Sequence, residues 1–315
     1  MNGEVRGIRY HRYGGPEQMR LEPFILPSPA PGQVAVRIRA AAVNPQDWKA
    51  RQGTHRLVPH CQFPRGMGSD FAGIVTNVGA GVTRLKAGDE VLGISERPGS
   101  HGAFAEATLT DQALIAIKPK SLSFEVAACL PTAGTAVWRA LMEVANLEPD
   151  HRILVTGCFS AIGRMAVQLA VSSHARVTGS CSATAMQEVK RRGLELPIDY
   201  VGDHSVPQKT FDLVLDTDGS FATRGASTLL RTSGGVVLDL DAVGFRRVRA
   251  IFNHNRKTVS LRPTTEILGH LVELANRGIL QPHISKIAPL ADAIFEIATL
   301  ERAAVNVGHL VIIVP

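Results

Sequence analysis

Residues 155–163 read VTGCFSAIG, a run that closes one apolar stretch, turns at glycine and opens another, RMAVQLA. The order strand, tight turn, helix aims backbone N–H groups and a helix N-terminus at one point, an arrangement that holds a phosphate or the pyrophosphate of a dinucleotide. Gly157 supplies the turn out of the strand and Gly163 the close packing of helix on sheet. Phe159, Ser160, Ala161 and Ile162 fill the middle, where Ser160 and Ala161 are small enough for a pyrophosphate to approach and Ser160 adds a hydroxyl. A middle glycine is missing, so the loop by itself also fits a strand-to-helix turn that binds nothing. About 20 residues further on, where an NAD-preferring site keeps an acid for the ribose hydroxyls, the chain reads GSCSAT. Ser180, Ser182 and Thr184 stand in place of the acid, with Lys190 and Arg191 following, a set that accepts a 2′-phosphate and so favours NADPH over NADH. Ser182 and Thr184 are also good N-caps for the next helix, and the two roles are compatible.

The elements around this loop follow from hydrophobic periodicity. From about Ser123 onward, helical patterns alternate with short buried strands: RILVTG, ARVTGSCS, FDLVLDT and GVVLDLD as strands, and RMAVQLAVSS, AMQEVKRRG and ATRGASTLLRTSG as helices. That alternation is the signature of a parallel sheet covered on both faces. SFEVAACLPTAGTAVWRALMEVANL precedes it as helix broken at Pro131, and KTVSLRP follows it as a further strand. The first 120 residues are different. Runs at 34–44, 71–79, 89–94 and 103–109 are β-like and separated by turn signals such as PAPGQ and KAGDE, which describes a β-rich domain. TTEILGHLVELANRG reads as a helix with Leu268, Leu271, Val272 and Leu274 inward and Gly278 as its stop. PLADAIFEIATLERAA reads as another helix, and VGHLVIIVP as a strand that rejoins the first domain.

The chain has 315 residues, 45% hydrophobic and 20% charged, enough for two domains that each bury a core without disulfides or metals. A net charge of +6 suits an anionic ligand. The basic clusters, Lys190-Arg191-Arg192 and Arg246-Arg247 with Arg249, are short and read as solvated faces rather than a nucleic-acid track. The cysteines Cys61, Cys129, Cys158 and Cys181 show no metal-ligand spacing and read as free thiols in a reducing compartment. No run of about 18 apolar residues and no signal-peptide pattern occurs, so a cytoplasmic protein without a membrane span is expected.

Longer blocks carry a resemblance. YGGPEQMRLE, APGQVAVRIRAAAVNPQDWKARQG, GSDFAGIVTNVGAGVTRLKAGDEV, GAFAEA, AACLPTAG, PIDY, FDLVLDT and VGHLVIIV occur in that order across nearly the whole chain. They resemble the zinc-independent medium-chain dehydrogenase/reductase superfamily, in its quinone oxidoreductase and enoyl reductase branch. The resemblance implies an α/β protein: a GroES-like β-rich catalytic domain of residues 1–122 and 267–315, and a Rossmann doubly wound parallel-sheet domain of residues 123–266. It implies NADPH as cofactor, hydride transfer to an enone, enoyl or quinone substrate in the cleft between the domains, and a homodimer, for which GVVLDLD is a plausible exposed sheet edge.

Carried over position by position, Asn44, Asp47 and Trp48 of VNPQDW line the cleft, with Trp48 as an apolar wall and Asp47 as an orienting group rather than an acid. His55 stands where the family often has a tyrosine, and its imidazole is either a hydrogen-bond and proton donor or an exposed loop side chain. The resemblance also places Thr132, Tyr200, Asp216, Leu238, Gly308 and His309 with the loop residues at the cofactor. A zinc-dependent relative would show a cysteine near VNPQD, a histidine beside GSD and a four-cysteine lobe. This chain has Asn44 and Asp47 there, so no metal is expected. Departures from the family pattern fall at the loop, at Ala136 where a threonine is common, and at Gly308-His309 where Gly-Lys is usual. They leave open a quinone reductase and, from another class, a non-redox binding protein on the same fold.

Overall fold

The computed structural model describes residues 3–53, 62–95, 101–191, 199–202, 206–217, 226–231, 236–239, 256–303 and 307–315. The first part runs β1 (Glu4–Tyr10), β2 (Arg20–Ile25), β3 (Gln33–Val43), α1 (Pro45–Arg51), β4 (Arg65–Gly66), β5 (Asp70–Val78), β6 (Glu90–Ile94), β7 (Ala107–Asp111) and β8 (Ile115–Ile117). Two short helices, α2 (Phe124–Ala128) and α3 (Pro131–Trp138), lead through a π-helical turn at Arg139–Val144 to β9 (Arg152–Val155) and α4 (Ala161–Ser172). Then come β10 (Arg176–Cys181), α5 (Ala183–Arg191), β11 (Asp199–Gly202), β12 (Leu213–Asp216), α6 (Ala226–Leu229), β13 (Val236–Asp239) and β14 (Arg256–Thr258). The last elements are α7 (Thr265–Asn276), β15 (Ile284–Pro289), α8 (Ala293–Arg302) and β16 (His309–Ile313).

Strands β9 to β14 form one sheet in the order β11-β10-β9-β12-β13-β14, with every pairing parallel. Numbered within the sheet this is 3-2-1-4-5-6, the doubly wound Rossmann order. GVVLDLD is not the edge expected of it. It becomes β13, hydrogen-bonded to β12 on one side and β14 on the other, because Arg256–Thr258 supplies one more strand beyond it. The helix expected over ATRGASTLLRTSG appears among the described residues as Ala226–Leu229.

The β-rich half holds a small sheet, β2-β1-β4, and a seven-stranded sheet in the order β15-β16-β3-β5-β6-β8, with β7 also paired to β3. The expected return of VGHLVIIVP is realised as β16, antiparallel to β3 and parallel to β15. Alternation along these strands separates two cores. Ile38, Ala41, Val43, Leu310 and Ile312 lie in the core of the β-rich half. Ala40, Ala42, Ala72 and Val311 lie in the other, together with Ala127, Ala133 and Ala136 of the short helices and Val155 and Leu169 of the Rossmann half. The seam between sheet and helices is therefore rich in alanine, whose small side chain lets α2 and α3 come close to β3 and β5. In α7, Leu268 and Leu271 are buried, and Val272 and Leu274 pack partly buried against that core. No helix among the described residues is long and apolar enough to cross a membrane.

Helix α1 is fixed at both ends. Pro45 occupies its first position, where no backbone N–H is needed. At the far end the guanidinium of Arg51, wholly buried, donates through Nη2 to both carboxylate oxygens of Glu301 on α8, at 2.8 and 2.7 Å. Removing one partner of such a pair strands a charge in the interior, at a cost of about 3–5 kcal/mol. Glu301→Ala is expected to lower the unfolding free energy by about that amount. Chemical denaturation of the double variant Arg51→Met/Glu301→Leu should show most of the loss regained, because the uncompensated charge is gone.

Candidate active site

The carboxyl end of β3 and the amino ends of β5 and α3 meet at one buried cluster. Asn44 ends β3 and begins α1; its backbone N–H donates to Asp47 Oδ2 at 2.8 Å, and its side-chain Nδ2 donates to Asp70 Oδ2 at 3.0 Å. Asp70, the first residue of β5, also accepts from the backbone N–H of Thr132 at 3.0 Å and from the Thr132 hydroxyl. Asn44, Asp47 and Thr132 are buried to below a tenth exposure and Asp70 completely. Asp70 thus joins two of the expected site residues, Asn44 and Thr132, and was not itself among the expected ones. Its only trace in the sequence is a single aspartate in GSDFAG, which says nothing of burial.

Burial dominates the ionisation of both acids. Desolvation pushes Asp47 up to about 7, a shift that the hydrogen bonds from Asn44 and Ser69 offset only in part and to which the charge of Asp70 adds. Desolvation likewise pushes Asp70 up to about 6 against the hydrogen bonds from Thr132 and Asn44. Trp48, half-buried, packs against the core of the β-rich half.

The other flank of Asn44 is β16. The last paired rung, Leu310 opposite Val43, leaves His309 as the next residue on β16 and Asn44 as the next on β3. Val311 and Ala42 share the face toward the Rossmann half, and His309 and Asn44, one alternation further on, belong to the same face. The imidazole is 1% exposed, and neither ring nitrogen has a hydrogen-bond partner. Burial, and then the nearby His283, hold its pKa down to about 4, so the ring is neutral at physiological pH. Gly308 precedes it at φ +81°, a conformation that suits glycine. His309 is the imidazole that the described structure brings beside Asn44; His55 lies outside the described residues.

The dinucleotide loop sits at the carboxyl end of β9, where the sheet order reverses between β9 and β12 and α/β proteins bind their ligands. Gly157 has φ +53°, and a Cβ on Gly163 would stand 2.2 Å from the Gly157 carbonyl oxygen, so α4 packs against the turn as closely as a glycine permits. Ser160 caps α4, its Oγ accepting from Gly163 N–H at 3.0 Å, and the Arg164 N–H reaches the Ser160 carbonyl. The N–H groups of Ala161 and Ile162 fall in the helix's first turn, whose donors have no carbonyl behind them. Phe159 is buried under the loop. Floor and loop are tied together: Thr156 Oγ1 donates to Asp216 Oδ1 at 3.0 Å, and Thr217 donates through its N–H to Thr156 Oγ1 and through its hydroxyl to the Thr156 carbonyl. Asp216 and Leu238 are completely buried. Turn, close packing and an amide-rich helix start fit the pyrophosphate of a dinucleotide.

At the end of β10, Ser182 and Thr184 are exposed and Ser182 Oγ accepts from Ala185 N–H, capping α5. Ser180 is completely buried, its hydroxyl without a hydrogen-bond partner. Lys190 lies in α5 and Tyr200 in β11. Ala136, which stands in place of the family threonine if Thr135 is not its substitute, is buried in the seam, and the Thr135 hydroxyl beside it is buried without a partner.

Comparison with known proteins decides the family. The chain matches the alcohol dehydrogenase GroES-like domain over residues 30–120 and the zinc-binding dehydrogenase domain over residues 165–306. It is 30% identical over 307 residues to a chloroplast envelope quinone oxidoreductase homolog of Arabidopsis thaliana, covering 92% of each chain. The chain belongs to the medium-chain dehydrogenase/reductase superfamily. It is also 36% identical over 258 residues to 2-methylene-furan-3-one reductase of Solanum lycopersicum, and 33% identical over 258 residues to an NADPH-dependent alkenal/one oxidoreductase, chloroplastic, of Arabidopsis thaliana. Each of these two matches takes in 78% of this chain, and they span 65% and 66% of the relatives' own lengths. The quinone oxidoreductase of Coxiella burnetii superimposes with a TM-score of 0.85 at 26% identity, over 99% of this chain and all of that one. Within this superfamily of oxidoreductases, no group of three or more His, Cys, Asp or Glu side chains that could hold a metal occurs among the described residues.

Two outcomes follow from this geometry. Gly163→Ala forces a methyl group against a backbone oxygen that cannot swing aside, so a loss of about 1–3 kcal/mol in stability is expected, with weakened NADPH binding in a fluorescence titration. Because the folded pKa of Asp47 lies above its unfolded value, its contribution to stability is complete below about pH 4 and lost as pH rises through about 7. The melting temperature of Asp47→Asn, minus that of the parent, is therefore expected to rise from pH 4 to about 7 and then to level off.

Proposed function

We propose that the protein is an NADPH-dependent reductase of activated carbon–carbon double bonds, acting on enones or enoyl compounds without zinc. The observation that carries this reading is the set of uncharged hydrogen-bonding groups, Asn44, Thr132 and His309, gathered at the face of β3 and β16 that looks toward the Rossmann half. NADPH, when bound, supplies the hydride. The chain's own task is to bind and orient. The first turn of α4 holds the pyrophosphate, and the acid-free end of β10 tolerates a 2′-phosphate that a carboxylate would repel. Hydride arriving at the β carbon of an enone moves negative charge to the carbonyl oxygen, where a fixed N–H donor lowers the barrier. One amide hydrogen of Asn44 is committed to Asp70, which sets the plane in which the rest of that amide meets the substrate. A neutral His309 donates or accepts there without introducing charge.

Zinc independence is supported by the same residues. At the position where a zinc-dependent relative would have a cysteine, Asn44 stands with its amide engaged by Asp70. Quinone reduction uses the same hydride geometry and needs no dedicated acid, and the relatives named as quinone oxidoreductases favour it as the second reading. A cytoplasmic homodimer belongs to the same proposal; β14, the edge strand of the Rossmann sheet among the described residues, is then the strand available to a second copy.

A thermal-shift titration tests the cofactor first: at 100 times its dissociation constant NADPH stabilises by about 2.7 kcal/mol, and NADH is expected to give a smaller shift at the same concentration. No shift with either would instead support a non-redox protein on this fold. Stopped-flow oxidation of NADPH against α,β-unsaturated ketones and against quinones then separates the two readings, and activity that survives chelation is expected in both.

A further inference from the structure

Helix α3 begins without a cap of its own. Its N-cap residue is Leu130, which has no side-chain acceptor, and Pro131 follows at the first position. The acceptor comes from 62 residues earlier in the chain: Asp70, on β5, takes the Thr132 N–H and hydroxyl together. The same carboxylate takes the side chain of Asn44 from β3. Three donors from two elements converge on one wholly buried group.

We propose that Asp70 is a positioning residue, whose carboxylate holds the amide of Asn44 and the first turn of α3 in one fixed relation and so sets the hydrogen-bonding geometry of the cleft. Asp70 touches neither substrate nor cofactor in this role. It acts through Asn44 on one side and Thr132 on the other. The proposal rests on the reductase reading for its kinetic consequences only; the coupling of the two elements stands on the hydrogen bonds alone.

The charge state of Asp70 matters because a protonated carboxyl brings a fourth hydrogen among three donors, so the bond from the Thr132 hydroxyl must reverse, or one of the three must break, and the charge that strengthens the others is lost. The other titratable groups around it are Asp47, on α1, and Cys129, at the end of α2. Cys129 is completely buried and its thiol is pushed well up by burial, and further by the charges of Asp70 and Glu125, so it stays neutral. Asp47 titrates at about 7 and Asp70 at about 6, so two limbs lie close together. Asp47→Asn removes one of them and isolates the other.

The experiment measures kcat and KM for NADPH-driven enone and quinone reduction between pH 5 and 9. It uses the parent, Asp47→Asn, Asp70→Asn, Thr132→Val and Thr132→Ser, with NADPH affinity from fluorescence titration. Loss of one hydrogen bond to a charged group corresponds to about tenfold or more in kcat. Asp70→Asn is expected to show that loss with NADPH affinity changed by less than about threefold; Thr132→Val is expected to lose kcat in the same way, and Thr132→Ser to restore most of it. In the Asp47→Asn background, kcat should fall below about pH 6, and the further change Asp70→Asn should abolish that limb. Full kcat with the acid limb intact in Asp70→Asn overturns the proposal. Should Asp70→Asn fail to fold, equal kcat in Thr132→Val and the parent overturns it. If the parent binds NADPH but reduces neither acceptor, the reductase reading fails by itself. Amide exchange at Thr132 then decides the positioning role: acceleration in Asp70→Asn supports it and unchanged protection refutes it.

Discussion

The acceptance of three hydrogen bonds by the buried carboxylate of Asp70 is the constraint around which the two halves of the molecule are arranged. A helix start without its own capping side chain is a cluster of unsatisfied donors, and α3 can tolerate a leucine at that place because β5 presents an acid to it. For the acid to reach, the helix must lie almost against the sheet. The alanines of β3, β5, α2 and α3 make that possible, since any larger side chain in the seam would lift the helix away from its cap. Sequence composition at the seam and a single hydrogen-bonded node are thus two expressions of one distance.

Charge is divided between the two ends of the cleft. At the start of α4 the backbone offers N–H groups and a favourable dipole to an anion. At the ends of β3 and β16 the ionisable groups are pulled toward neutrality: desolvation raises Asp47 and Asp70 and lowers His309. An uncharged nicotinamide ring and an uncharged enone or quinone suit the second environment, and phosphates suit the first. Burial, acting in opposite directions on acids and bases, is the largest cause of the second one.

Much of this was legible in the sequence because periodicity reports burial locally. The alternation from RILVTG to GVVLDLD translated into β9, β10, β12 and β13, whereas β11 was not read as a strand, and VNPQDW marked the turn that carries Asn44. Short strands with charged residues, such as β1 with Arg6 and Arg9, give weak alternation and were not anticipated. The edge of the Rossmann sheet was misplaced because lateral order in a sheet depends on which strand arrives next in space, and GVVLDLD looks the same with or without β14 beside it. Asp70 was missed for a related reason. An aspartate after Gly-Ser is unremarkable until a helix from elsewhere brings Thr132 to it. Conversely, Ser182 was readable both as a cap and as a phosphate ligand, and its bond to Ala185 N–H realises the first role without preventing the second.

Strand β16 lies between the edge strand β15 and β3 in the larger sheet, although the whole Rossmann segment separates it from β3 in sequence. During synthesis β3 can pair early with β5 and β7, whereas its last residues, Ala40–Val43, which lead to Asn44, lack their second neighbour until that segment has been made. Closing so long a loop is slow relative to local pairing, and the Rossmann sheet can form as a unit in the meantime. Docking of β16, which brings His309 to Asn44, is therefore expected to follow the pairing of β3 with β5. Until β16 docks, His309 has no place beside Asn44, so the arrangement on which the proposed reductase reading rests belongs to the completed fold alone.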